Sequence, residues 1–314
     1  RETGEKGIQL EKFLVSEARR YGMRIVGPNC QGINNPHHPV CAGWPLFTHK
    51  GEMAILAQSG TVAAAFADWC SLDHLGFSAL VSMGNKADVD EADLIDYFSD
   101  HQGTRGISLY VEGRTRRGRI AAESHTSSLA GNDEVFDGIL RQNRIYRADT
   151  FEEFYDFSKA VAYLRRPRGK RLVFITSSGG AAVLAIDEAD RMGLEVPTLP
   201  DDMKKQLRAF VPAGASVNNP IVLTGDGDAP MFGKVADIVR SHFDTVVYVF
   251  GDPIEGASEI VGTDPNELVI FMGGAEVERR EKALIQKKKI PVFPTPERGI
   301  KAYSRLYKFA SAKK

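Results

Sequence analysis

The sequence predicts an α/β protein of two domains, each built on a parallel sheet with helices on both faces. Apolar runs typical of strands alternate with amphipathic stretches typical of helices, as repeated βα units require. With 314 residues, the chain is also longer than one average domain. A basic, turn-forming stretch at 165–171 interrupts the alternation, and the pattern restarts directly after it. We therefore place the domain boundary near residues 165–170.

The individual elements follow from periodicity. Residues 8–20 predict a helix with an apolar face of Leu10, Phe13, Leu14 and Ala18, and Gly22 follows as a stop. The rest of the first half predicts strands at 24–26, 52–57, 77–83 and 106–111, a helix over 62–73 and a helix that begins in 134–139. The second half predicts strands at 172–176, 245–250, 268–272 and 290–293, with helices between them.

Composition and missing motifs exclude several functions. A net charge of −1 gives no support for a nucleic-acid or membrane-surface role. The three cysteines, Cys30, Cys41 and Cys70, are too few and scattered for a disulfide framework or a metal site, and a reducing cytoplasm fits them best. The first residues are not a signal peptide, and no apolar run approaches membrane-spanning length. The dinucleotide fingerprint, the P-loop and the serine-hydrolase elbow are also missing.

One histidine lies in a loop whose composition suits a phosphoryl carrier. His125 sits in the polar run 123–131, where small neighbours would let a bulky group approach the imidazole. Hydroxyls at Ser124, Thr126, Ser127 and Ser128 can donate to anionic oxygens, and arginines at 114, 116, 117 and 119 add positive potential. A plain surface loop entering a helix, with Asp133 and Glu134 in the first turn, is the alternative.

Two turns in the chain repeat one local pattern. Residues 54–64 and 173–183 both run from an apolar strand through a polar residue and Ser-Gly into an alanine-rich helix. Gly60, Gly179 and Gly180 would let the backbone approach a ligand, while free amides of the first helical turn and the hydroxyls of Ser59 and Ser178 point outward. A simple N-cap explains either turn alone. Two turns together with a loop histidine favour a phosphate held between two helix N-termini.

Seven segments in one order resemble a known family, the NDP-forming (ADP-forming) acyl-CoA synthetases, which are related to succinyl-CoA ligase. The seven segments cover nearly the whole chain, and together they are more specific than any one segment alone. The segments are 27–32 (GPNCQG), 58–60 (QSG), 84–90 (GNKADVD), 110–113 (YVEG), 124–131 (SHTSSLAG), 177–180 (SSGG) and 219–226 (NPIVLTGD).

The resemblance implies a ligase reaction and roles for particular residues. A carboxylic acid, coenzyme A and ATP would give acyl-CoA, ADP and phosphate through an acyl phosphate and a phosphorylated His125. Glu112 matches the acid that orients the active histidine, although a solvated strand-end glutamate is the alternative. The residues that match the two phosphate-holding helices are Gln58, Ser59, Gly60, Thr61, Ser178, Gly179 and Gly180. The residues that match the coenzyme A and acyl site are Asn29, Cys30, Asn85 and Lys86.

The resemblance also implies an architecture. Two flavodoxin-like, doubly wound parallel-sheet ligase domains would span 37–166, with the phosphohistidine loop, and 167–314. Residues 1–36 would be the last helix and strand of a truncated Rossmann-like CoA-binding domain. ATP, with Mg2+, would bind ATP-grasp domains outside this chain, fused or as a separate subunit, and we expect an oligomer. No metal site is expected within the chain itself.

Three departures and two competing functions stand beside this prediction. The chain would be a fragment whose start lies inside the CoA-binding domain. Gly113 runs straight to Arg114 where the family has an additional helix and strand, so we expect missing residues there, and Ser127-Ser128 replaces the family's Gly-Ala.

Trp44 and Phe47 lie where the acyl pocket is partly built and would suit an aromatic acid, but packing explains them equally well. The competing functions are a non-catalytic acyl-CoA-sensing or assembly module and a flavodoxin-like binding protein.

Overall fold

The computed structural model describes residues 4–43, 49–113, 115, 117–118, 120, 133–164, 166–273 and 275–311. The chain divides into two compact units between Arg147 and Ala148. Among the helices in these ranges, none combines the length and apolar character that a bilayer crossing requires.

The first unit contains a mixed five-stranded sheet in the order β2-β1-β4-β3-β5. Strands β3, β4 and β5 are parallel, whereas β1 runs antiparallel to both β2 and β4. In chain order the elements are α1 (Glu5–Arg20), β1 (Gly32–Asn35), β2 (Val40–Gly43), β3 (Lys50–Ala57), α2 (Gly60–Leu72), β4 (Phe77–Ser82), α3 (Glu91–Asp100), β5 (Gly106–Tyr110) and α4 (Asp133–Gln142).

The centre of this sheet is apolar on both faces. Residues 54–57 of β3 and all of β4 are buried, as expected of parallel strands covered by helices. Ala54, Leu56 and Val81 form one core cluster with Phe98 of α3. Because β3 pairs in parallel with both β4 and β5, the carboxyl ends of these strands lie side by side. The loops that follow them contain most of the first unit's predicted site residues.

The second unit contains a six-stranded sheet in the order β11-β10-β9-β6-β8-β7. Its strands are parallel except for β7, which forms an antiparallel pair with β8. In chain order the elements are α5 (Phe151–Tyr163), β6 (Leu172–Thr176), α6 (Gly179–Met192), α7 (Asp201–Arg208), β7 (Ser216–Val217), β8 (Ile221–Val222), α8 (Ala229–Val239), β9 (Thr245–Phe250), α9 (Ala257–Ile260), β10 (Glu267–Phe271), α10 (Ala275–Lys287), β11 (Val292–Phe293) and α11 (Pro296–Ser311).

The α/β prediction is confirmed, with two parallel-dominated sheets. One predicted strand is wrong, since residues 24–26 form none. The N–H of Ile25 donates to the Asp88 carboxylate, and its carbonyl accepts from Val89, so its backbone groups pair with a loop instead of a sheet. The sequence pattern also missed the β1–β2 and β7–β8 hairpins, whose strands have only two to four residues.

Helix α5 packs in the second unit, although it precedes the predicted boundary at 165–170. Its Asp156 forms a two-bond ion pair with Arg298 of α11, at 2.6 and 2.8 Å. The buried Lys159 donates to the carbonyl of Val292 at 3.0 Å. These contacts place the division of the structure before α5. The predicted segments 1–36, 37–166 and 167–314 stay a prediction about evolutionary domains.

Candidate functional site

The first Ser-Gly turn connects β3 to α2 in the first unit. Ser59 has extended backbone angles at the N-cap position, and its hydroxyl caps no helical amide. Instead, Ser59 Oγ lies 3.3 Å from Thr61 Oγ1. The first turn of α2 has no acidic residue, although a carboxylate is favourable there. The turn therefore presents hydroxyls and helical amides with no negative side chain of its own, which suits an anion.

Gln58 connects this turn to Glu112. The buried Gln58 donates its backbone N–H to the carbonyl of Tyr110 at 3.0 Å, and its side-chain Oε1 accepts from the N–H of Glu112 at 3.2 Å. Burial, and then the nearby Glu112 carboxylate, raise the pKa of Tyr110. Glu112 is half-buried and lies two residues after the end of β5. The structure thus brings the predicted histidine-orienting acid next to the start of α2.

The two segments predicted to hold coenzyme A lie against each other. The N–H of Asn85 donates to the carbonyl of Pro28 at 2.9 Å. Gly84 has φ +54°, and a Cβ added there would lie 2.2 Å from the Pro28 oxygen, so only glycine allows this approach. Asn85 is buried, and its side-chain Oδ1 has no hydrogen-bond partner among the residues that the structure describes. Lys86 is held by Glu91, with 2.5 Å between Nζ and Oε1.

Gln31 is a residue of this region that the sequence analysis did not single out. Its N–H donates to Ser82 Oγ at the end of β4, at 3.0 Å. Its side chain crosses the start of α2, because a Cβ added at Gly60 would lie 2.7 Å from Gln31 Cγ. The contact with Gln31 therefore favours glycine at position 60 whether or not a ligand binds there. Gln31 belongs to the segment 27–32, but only the fold shows its contact with α2.

The second Ser-Gly turn connects β6 to α6 and is held by its own side chains. Ser178 caps the helix, with Oγ accepting from the N–H of Ala181 at 3.3 Å. Thr176 Oγ1 accepts from the N–H of Ser178 at 3.0 Å. Ser177 Oγ accepts from the N–H groups of Gly251 and Asp252 at 3.1 and 3.2 Å. Three consecutive hydroxyls thus fix this turn.

The start of α6 is exposed. Within the described part of the chain, Gly179 and Gly180 are exposed, and a Cβ added at Gly179 would meet no atom within 4 Å. The first turn of α6, like that of α2, has no acidic residue. The amides of Gly179 and Gly180 belong to the first helical turn, where no earlier residue of the helix can accept from them, while the amide of Ala181 is capped by Ser178. Binding of an anion at this turn stays a prediction.

Several predicted residues lie outside the described ranges. They are His125 with its hydroxyl neighbours Ser124, Thr126, Ser127 and Ser128, the loop arginines Arg114, Arg116 and Arg119, and Trp44 and Phe47 of the acyl segment. The approach of His125 to either turn stays a prediction. Among the residues that the structure describes, no cluster of three or more His, Cys, Asp or Glu residues could hold a metal ion.

Comparisons with known proteins match both units. The model of the succinyl-CoA ligase like flavodoxin domain matches residues 50–114 and 112–161, and the ligase-CoA domain model matches residues 172–243. The chain is 36% identical to the acetate–CoA ligase [ADP-forming] I subunit alpha of Pyrococcus furiosus, over 99% of this chain and 76% of the relative. The chain belongs to the ADP-forming acyl-CoA synthetase family.

Two further comparisons also match nearly the whole of this chain, which spans only part of each relative. The acetate–CoA ligase [ADP-forming] I of Archaeoglobus fulgidus is 32% identical over 99% of this chain, which spans only 50% of that relative. A dinucleotide-forming acetyl-coenzyme A synthetase 1 of Ca. Korarchaeum cryptofilum, solved with phosphate and ADP, superposes with a TM-score of 0.87 at 29% identity. It matches 99% of this chain, which covers 76% of that one.

The alignments also bear on the expected gap. The one with the Pyrococcus subunit extends over 353 positions, more than the 314 residues of this chain. The flavodoxin-domain model is matched in two pieces that meet at 112–114. Family members therefore have additional residues inside the aligned region, and the two matched pieces meet where Gly113 joins Arg114.

Proposed function

We propose that this chain forms the ligase part of an ADP-forming acyl-CoA synthetase, which joins a carboxylic acid to coenzyme A at the expense of ATP. The proposal rests on the arrangement of residues at the start of α2. Its first turn has no acid, its Ser59 hydroxyl caps no amide, and Gln58 holds Glu112 beside it. Such an arrangement suits a phosphate together with a histidine whose other ring nitrogen needs a carboxylate partner.

The chemistry has three steps. The His125 imidazole attacks the terminal phosphorus of ATP, and ADP leaves. A carboxylate oxygen of the acid then attacks the phosphohistidine, which forms an acyl phosphate and releases the imidazole. The thiolate of coenzyme A attacks the acyl carbon, and phosphate leaves. In the last two steps, amides at the start of α2 would hold the phosphoryl oxygens, since pre-placed donors stabilise that charge without solvent reorganisation. The amides at the start of α6 are a further candidate anion site of the second unit.

Two groups of residues would serve this chemistry. Glu112 would accept a hydrogen bond from the His125 ring and stabilise its charged form. The thioester end of coenzyme A would lie along the two segments that carry Asn29, Cys30, Asn85 and Lys86. The unpaired, buried Oδ1 of Asn85 supports this assignment, because a buried acceptor favours a donor partner.

ATP and Mg2+ would bind outside this chain, on ATP-grasp domains. The chain spans most of a relative named as an alpha subunit and about half of a relative named as a whole ligase. Both a separate partner subunit and a fused region are compatible with these proportions. We infer an assembly in which the His125 loop moves between the ATP site on the ATP-grasp domains and the start of α2. Small residues beside His125 suit such a carrier loop.

Labelled ATP tests the proposal directly. The full-length protein, together with the ATP-grasp region or subunit that completes it, is incubated with γ-labelled ATP, and acid-labile label on the protein is measured. We expect labelling in the wild type, loss of labelling in His125→Ala, and unchanged labelling in the control His242→Ala, which replaces an exposed histidine of the second unit. Labelling that survives in His125→Ala would contradict the assigned carrier.

The competing function, a non-catalytic acyl-CoA-sensing or assembly module, predicts no label at all. A sensor needs neither a phosphoryl acceptor nor an acid beside it, so Glu112 and His125 argue against this alternative. The relatives reported above are named as ligases or synthetases, which supports catalysis.

The acid itself is a separate question. Trp44 and Phe47 favour an aromatic acid if they line the acyl pocket. Turnover is compared on acetate and on a hydroxycinnamate, in the wild type and in Trp44→Ala. A faster reaction on the hydroxycinnamate that Trp44→Ala abolishes supports the aromatic preference, and equal rates on both acids exclude it.

A further inference from the structure

The segment 25–29 and the loop 84–89 run alongside each other in the first unit. Three backbone hydrogen bonds join them: Asn85 to Pro28 at 2.9 Å, Ala87 to Gly27 at 2.8 Å, and Val89 to Ile25 at 3.1 Å. Neither segment belongs to a helix or strand. Regular secondary structure therefore does not fix their relative position.

The side chain of Asp88 joins the loop 84–89 to the segment 25–29. Its side chain is fully buried and accepts from the N–H of Ile25 at 2.8 Å. It also accepts from Arg19, through Nε at 3.1 Å and Nη2 at 2.7 Å, and from Arg24 Nε at 3.0 Å. Arg24 in turn reaches Asp93 at 3.0 Å. One carboxylate thus joins the end of α1, the segment before Pro28 and the loop after β4.

The charge on Asp88 is retained over the physiological range. Burial acts to raise its pKa, but the hydrogen bond from Ile25 and the two guanidinium groups outweigh burial and lower the pKa to about 2. The carboxylate therefore stays ionised during any assay near neutral pH. Its contacts with Arg19 and Arg24 are those of a permanent ion cluster.

We propose that Asp88 is a positioning residue for coenzyme A, because it holds the segment with Asn29 and Cys30 against the loop with Asn85 and Lys86. This inference rests on the proposed function, in which these two segments receive the thioester end of coenzyme A. Asp88 acts through its neighbours and makes no contact with the reacting atoms. Removing its charge would loosen segments 25–29 and 84–89, whereas Gln31 keeps its own hydrogen bond to Ser82 at the end of β4, so the start of α2 and Glu112 would stay in place.

Steady-state kinetics of the full-length synthetase test the role. In Asp88→Asn we expect KM for coenzyme A to rise about 10- to 100-fold, by analogy with the loss of side chains that orient the ligands of a metal ion. KM for ATP, and labelling by γ-labelled ATP in the absence of coenzyme A, should stay within about twofold of the wild type, because neither needs these segments. A general loss of structure would instead change all three together.

Two further variants keep the test interpretable. Asp244→Asn is the matched control, because Asp244 accepts from the backbone N–H of Arg171 at 2.9 Å in the second unit, and its KM for coenzyme A should not change. Arg24→Met removes an exposed partner of Asp88 and should raise KM for coenzyme A several-fold even if Asp88→Asn does not fold.

The outcomes separate the two proposals. Unchanged KM for coenzyme A in both Asp88→Asn and Arg24→Met, with an active wild type, overturns the positioning role alone. A parallel loss of labelling and coenzyme A affinity in Arg24→Met also overturns it, as a merely structural role predicts. A wild type that is neither labelled nor active with coenzyme A would instead contradict the proposed function.

Discussion

The two Ser-Gly turns share a sequence pattern but are stabilised differently. In the second unit, Thr176, Ser177 and Ser178 satisfy backbone groups of their own turn and of the neighbouring strand end. In the first unit, Ser59 caps nothing, and the turn is held by the side chains of Gln31 and Gln58. The second turn is therefore self-supporting, whereas the first depends on segments that carry other predicted site residues.

This difference suggests a division of roles. A turn fixed by its own hydroxyls offers an anion site of constant geometry. A turn that contacts Gln31, next to Cys30, and Gln58, which binds the backbone of Glu112, changes its geometry when either neighbour moves. We expect the first turn to respond to coenzyme A and the second to act as a fixed phosphate anchor.

The largest expected effect tests the self-supporting character of the second unit. The side chain of Asn219 accepts from the N–H of Phe174 at 3.0 Å and donates to the carbonyls of Leu172 and Pro197 at 2.8 and 2.9 Å. Asn219→Ala leaves three backbone groups beside β6 unpaired and should lower the free energy of unfolding by about 3 kcal/mol. Denaturant unfolding measures the change.

The neighbouring Asn218 provides the control. It is exposed, and Asn218→Ala should change stability by less than about 0.5 kcal/mol. Equal stability of the Asn219→Ala variant and the wild type would show that β6 and its turn are held by something other than this side chain.

A smaller effect compares the two serines directly. Ser178→Ala removes a helix cap and should cost about 1 kcal/mol of unfolding free energy. Ser59→Ala removes no cap and should cost no more than a few tenths of that value. Thermal unfolding of the two variants side by side measures the contrast, and equal losses of stability would remove the structural distinction between the turns.

The smallest effect concerns the glycines, and here the expected signs are opposite. Gly179 has no positive φ, so Gly179→Ala adds a methyl group without strain, restricts the unfolded chain and should stabilise the protein by about 0.4 to 1 kcal/mol. Gly60→Ala should destabilise it, because the new Cβ meets Gln31 Cγ at 2.7 Å. Both variants should turn over more slowly if phosphate binds there. A stabilised Gly179→Ala variant with full activity would argue against an anion site at α6.

Much of the fold was predictable from the sequence, for a physical reason. Parallel strands buried on both faces are continuous apolar runs, so 172–176 and 245–250 agree with β6 and β9 to the residue. The segment 24–26 carries a similar short apolar signal, but its hydrogen-bond partners lie in the loop 84–89. Periodicity describes one segment at a time and contains no information on such a partner.

The same limit applies to the candidate site. Ser59, Gly60, Ser178 and Gly179 were predictable because a strand-to-helix turn is local. The contact of Gln31 with α2, and the three links of Asp88, join residues separated by about 29 to 69 positions in the chain. The sequence placed Gln31 and Asp88 within segments of interest, but only the folded chain assigns them a contact.

The packing of α5 has a practical consequence for dissecting this enzyme. The match to the flavodoxin-domain model ends at 161 and the match to the ligase-CoA model begins at 172, which would suggest expression of the second half from about residue 170. Such a piece would lose Asp156, the partner of Arg298, and Ala160, which belongs to an apolar cluster with Ile300. A gene segment that starts at Ala148 retains helix α5. The division before Ala148 is therefore the boundary to use for producing this half alone.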